Sequence, residues 1–186
     1  MCDDVKIKKD NSPEEEYHQE LMETESIVAM LYNQKQNGNI DRARSLGRKM
    51  AEQVDADDGE FCFGYDADEN DQVVLQRRML LAFTVKRGFE LFCPNMIVTK
   101  TANNQFFDII HKNSPHIYED IQANGAFSYY TLCIRDSRES EKCIGETFAT
   151  LSGHNGDKIY SELGEALYLH FLDLVAQEVN KLEFVK

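Results

Sequence analysis

Carboxylates and aromatic rings crowd together in one stretch of this 186-residue chain, "DADDGEFCFGYDADEND" at residues 55–71. It holds eight acidic residues, no lysine or arginine, and Phe61, Cys62, Phe63 and Tyr65 between two acidic tetrads. One chemistry open to it is cation binding, because clustered carboxylates hold hard cations. Asp66, Asp68 and Asn70 take the first, third and fifth positions of a calcium loop. The sixth position needs a glycine for its turn and is Asp71; the twelfth needs a bidentate glutamate and is Arg77. An EF-hand is excluded, which leaves at most a weak, irregular calcium site. The plain structural reading is a solvated connector. Its later acids would cap and complement the dipole of the next helix and neutralise Arg77, Arg78, Lys86 and Arg87.

Docking is the functional reading. Phe61, Phe63 and Tyr65 alternate, so an extended segment would place their rings on one face. Asp55, Asp57, Asp58, Asp66 and Asp68 would then select a basic surface on a protein partner. The same segment could fold back on its own domain and pair with "MIVTK" at 96–100 as a short two-stranded ribbon.

A second set of polar groups is His111, Tyr130, His170 and Asp173. Placed between helices, they would line the pocket of a helical enzyme or small-ligand binder. His170 and Asp173 are three apart and share a helix face, although a hydrogen-bonded core histidine explains that pair as well. The chain has no H-E-x-x-H, no paired E-x-x-H, no G-x-S-x-G and no Walker loop. No metal or cofactor is therefore expected. "GHNGDK" at 153–158 reads as a helix–helix turn with Asp157 as cap rather than a phosphate cradle. The five cysteines, at 2, 62, 93, 133 and 143, are odd in number and form no C-x-x-C, which points to reduced, structural thiols in a cytoplasmic protein.

The net charge of −13 is unevenly placed: residues 1–75 carry −11 and the rest −2. That acidity disfavours a phosphate backbone and an anionic membrane surface. Arg77, Arg78, Lys86 and Arg87 spread around a helix at 100° per residue and make no basic stripe, so nucleic acid is not an expected partner. "MCDDVKIKKDNSPEEE" has no apolar core of a signal peptide, and no apolar run approaches the roughly 20 residues of a membrane span. A cytoplasmic location is the expectation.

The elements that must hold these residues are helical. "SPEE" opens a helix with Ser12 as cap and Pro13 in the first position. Tyr17, Leu21, Val28 and Leu31 share its apolar face, with Ile27 and Met30 beside it. "NGN" at 37–39 turns the chain into a second helix with the stripe Ile40, Ala43, Leu46, Met50 and Val54, which predicts a tight hairpin. Residues 72–92 are apolar on most sides and predict a buried central helix stopped by Pro94. Thr101 is the expected cap of a short helix, and Ser114 with Pro115 starts another. "NG" at 124–125 should interrupt that helix, and helices around Ile144 and from Asp157 to about Leu182 complete the set.

These readings predict an all-α protein. About seven helices in antiparallel hairpins pack as a bundle or short helical array, with one short ribbon as an optional addition. Residues 1–11 are a tail and 12–186 a single helical domain. Within it, 12–54 form an N-terminal hairpin, 55–71 an acidic connector and 72–186 the main core. The function expected is a non-catalytic interaction or regulatory protein. It would dock a basic partner through the helical hairpins and the acidic aromatic segment, or associate with itself through the apolar last helix. The alternative is the helix-lined small-molecule site.

Overall fold

Five consecutive apolar residues, Met79 to Phe83, fix the centre of the molecule. One helix face cannot hold all five, so their helix must be covered on every side. In a computed structural model that describes residues 13–56, 71–123 and 125–185, each of the five is at most 5% exposed. Among the described residues the chain forms eight α-helices. They are α1 (Pro13–Gln36), α2 (Asn39–Ala56), α3 (Asp71–Phe92), α4 (Met96–Asn113), α5 (Pro115–Ala123), α6 (Ala126–Asp136), α7 (Ser140–Leu151) and α8 (Lys158–Lys181). They make an all-α bundle. α2 and α4 form one closely packed pair, α7 and α8 another, and α3 touches both pairs as well as α6. Edge-on aromatic pairs mark two of these contacts. Phe89 of α3 meets Phe106 of α4 with ring centroids 6.2 Å apart, and Phe83 of α3 meets Phe127 of α6 at 5.7 Å.

The turns follow local chemistry. α1 ends at Gly38 and α7 at Gly153, with φ of +78° and +84°, the left-handed values a glycine takes without steric cost. Pro94 follows the end of α3, "NG" at 124–125 separates α5 from α6, and the Asp157 carboxylate accepts the Ile159 amide at the start of α8. Each agrees with the sequence.

Two expectations need correction. The β-branched "MIVTK" is no strand or link but the first turns of α4, so a ribbon through residues 96–100 does not form. Asn95 explains the change. Its side chain accepts the amides of both Ile97 and Val98 at 3.1 Å, and Val98, Ala102, Phe106 and Ile110 then fall at four-residue spacing onto the core. Thr101 is accordingly inside the helix, bonding back to the Ile97 carbonyl, and is not its cap. The second correction concerns the thiols. Cys133 of α6 and Cys143 of α7 are joined by a disulfide, because the short turn between the helices brings their Cα atoms to 5.4 Å.

Glycines inside helices set the closest crossings. A methyl group added at Gly145 of α7 would overlap the Ser161 carbonyl oxygen of α8, and one at Gly47 of α2 would overlap the Ala102 carbonyl oxygen of α4. Between α2 and α8 the tie is ionic. Glu178, almost buried, pairs with Lys49 of α2 and with Lys181 one turn along its own helix.

Candidate interaction surface

α1 departs from the rest of the bundle in where its apolar residues lie. Its sequence separates charge along the helix instead of around it. All six glutamates stand at or before residue 25, and the run "IVAMLY" from Ile27 to Tyr32 follows. Every side chain from Thr24 to Asn33 is exposed. Ile27 is 53% exposed, Val28 60%, Leu31 49% and Tyr32 62%. Thr24, Glu25, Val28, Ala29, Tyr32 and Asn33 edge a shallow groove of about 450 Å³. α2 buries its own stripe elsewhere: Ala43, Leu46, Met50 and Val54 are at most 1% exposed, and α4 is the helix it packs on most closely.

Spacing gives the α1 face its form. Tyr17, Leu21, Thr24, Val28 and Leu31 recur at alternating four- and three-residue steps, the pattern of a coiled-coil seam. Glu25, Ile27 and Tyr32 flank the seam. Chemically this is a surface for another helix: an apolar strip that loses water on contact, beside carboxylates that favour cations.

The acidic aromatic segment lies almost wholly outside the described residues. Asp57, Asp58, Phe61, Phe63, Tyr65, Asp66 and Asp68 belong to residues 57–70, and Asp55 stands in the last turn of α2. Two of the cations expected to meet these acids, Lys86 and Arg87, bond Glu90 on their own helix. Arg77 is 4% exposed.

The structure distributes the four pocket candidates over three helices. His111 of α4 lies against Tyr118 of α5, with ring centroids 4.6 Å apart. Tyr130 of α6 is fully buried 5.2 Å from the Phe83 ring, and its hydroxyl has no hydrogen-bond partner among the described residues. Burial pushes that phenol well above the ordinary tyrosine range. His170 and Asp173 share the exposed side of α8, where Asp173 accepts a hydrogen bond from Gln177 at 2.6 Å. None of the four lines the open groove of about 750 Å³ between α7 and α8. That groove presents Lys142, Lys158, Glu146 and Glu162, a mixture of both signs.

Cys93 bears on nucleophilic chemistry. Burial pushes its thiol up to about 11 against the opposing effect of the Thr99 hydrogen bond, so almost none is thiolate at neutral pH. Among the described residues no cluster of three or more histidine, cysteine or acidic side chains is placed to hold a metal, and no helix is long and apolar enough to cross a membrane.

Sequence reasoning placed Val28 and Leu31 on the apolar face of α1 and missed Met22 and Tyr32, which are 61% and 62% exposed. The usable signal was the six-residue apolar run. It is too wide for the seam that one neighbouring helix covers and stands directly after an acidic half-helix.

No family model matches the chain, and no curated protein or solved structure is detectably similar to it.

Proposed function

We propose that this protein is a non-catalytic, cytoplasmic interaction or regulatory module. It docks a protein partner with a basic surface through the N-terminal hairpin, α1 and α2, together with the acidic aromatic segment at 55–71. The observation that carries the reading is the exposed "IVAMLY" run of α1, which follows the six glutamates of the same helix. Large exposed apolar patches rimmed by charge mark interaction sites. The high pKa of the Cys93 thiol supports a non-catalytic role for that residue. The Cys133–Cys143 disulfide pulls against a cytoplasmic setting, where glutathione keeps most thiols reduced.

The test is native mass spectrometry of the full chain purified gently from its own host. It is run beside a variant with Asp55, Asp57, Asp58, Asp66 and Asp68 changed to Lys. The reading expects a stoichiometric protein partner on the wild type, lost from the variant while its circular dichroism is unchanged. Partner binding that survives the five charge reversals would sink the role of the acidic segment. A stoichiometric small molecule in place of a protein would sink the module itself.

A further inference from the structure

Resting on that reading, we infer that the partner docks as a basic amphipathic helix laid along the α1 seam. Three observations lead there. The seam has heptad spacing through Leu21, Thr24, Val28 and Leu31, and such spacing fits a second helix better than a strand or a loop. The apolar strip around Val28, Leu31 and Tyr32 is exposed along a run of nearly three turns, so a helix of similar length can reach all of it.

Charge then selects the occupant. α1 carries six glutamates and one lysine. By their place in the repeat Glu14, Glu20 and Glu25 fall on or beside the seam, so a second copy of α1 would bring three more glutamates to it, and like charges across an interface disfavour pairing. The acidic segment at 55–71 has eight acidic residues and no lysine or arginine, so it is an equally poor cover. A helix with leucine-like residues on its seam and lysine or arginine beside them satisfies both the apolar strip and the glutamates.

The test uses two labelled peptides of about 24 residues, long enough to match α1 turn for turn. Both have leucine at the seam positions; one has lysine and the other glutamate at the flanking positions. Each is titrated by fluorescence anisotropy against the full chain and against the Val28→Glu/Leu31→Glu variant. Both substituted positions are exposed, so the variant should keep its fold, which circular dichroism and thermal melting verify. The expected result is saturable one-to-one binding of the lysine peptide, at least about tenfold tighter than the glutamate peptide and weakened by salt. V28E/L31E should lose that binding, although two added carboxylates would strengthen any merely electrostatic attraction.

Three results would overturn the inference: no binding of the lysine peptide, equal binding of both peptides, or retention by V28E/L31E. Sedimentation of the wild type as a dimer that V28E/L31E converts to monomer would also overturn it, by assigning the seam to a second copy. A host partner lost on charge reversal at 55–71, with no peptide binding to α1, would leave the interaction module standing and remove only this inference.

Discussion

Asn39 and Val185, 146 residues apart, are joined by two hydrogen bonds between one side chain and one backbone. The Asn39 amide nitrogen donates to the Val185 carbonyl at 2.7 Å, and the Val185 amide donates to the Asn39 side-chain oxygen at 3.0 Å. Asn39 is fully buried and also donates to Gln34, so the turn between α1 and α2 and the end of the chain share one polar anchor. Asn39→Leu leaves those backbone groups without this partner. We expect a loss of about 2 kcal/mol in denaturant unfolding, with faster amide exchange at residues 182–185. Unchanged exchange at Val185 would show that the clasp does not hold the terminus.

Glu178 gives the fold an acid limb. Burial raises the pKa of its carboxyl, but the hydrogen bonds from Lys181 and Lys49 outweigh burial and leave it below its ordinary value. The native state therefore holds this proton less tightly than the unfolded chain. The stabilisation is present above about pH 4.5 and is lost as the pH falls through the lowered native value. Glu178→Gln should be less stable than wild type at neutral pH, and the gap should close as the pH falls from about 4.5 through the lowered native value. A gap that stays constant with pH would contradict the ionic role.

The α7–α8 crossing depends on Gly145. The Ser161 carbonyl oxygen is backbone and cannot rotate away from an added methyl group, so Gly145→Ala must push the helices apart. The expected cost is about 2–3 kcal/mol, in spite of alanine's better helix propensity. A thermal melt settles the sign: a raised melting temperature would mean that the crossing is looser than described.

The cysteines divide by reactivity. Opening the Cys133–Cys143 bridge frees a loop with a sequence separation of 10, which should cost about 2–3 kcal/mol by chain entropy. Cys143→Ser should therefore match the effect of a reducing agent on the wild type, and the reducing agent should add nothing to the variant. Cys93, half-buried with its thiol held at about 11, should react slowly with a thiol reagent until the protein unfolds. Fast labelling of Cys93 in the native protein would contradict its burial.

Much of the fold is legible in the chain because its punctuation is local. Pro13, Gly38, Pro94, Pro115 and Gly153 each act on the one or two residues beside them, and the helix ends fall where they predict. Helix pairing is not local. Nothing in the α2 stripe says that its closest partner is α4, and no motif links Cys133 to Cys143 before α6 and α7 are placed. "MIVTK" misleads because β-branched residues favour strands, whereas the Asn95 cap and a four-residue apolar spacing override that preference. The interaction face was half legible. Its seam is written in the sequence, but the same spacing also describes a helix packed against its own domain.

The central claim is that the "IVAMLY" face of α1 is covered by a partner. Hydrogen exchange of the full chain, free and in complex with the partner recovered from its host, tests that claim directly. The account predicts that amides of residues 24–33 exchange quickly in the free protein and become protected in the complex. Protection confined to the α7–α8 groove, with 24–33 unchanged, would contradict it.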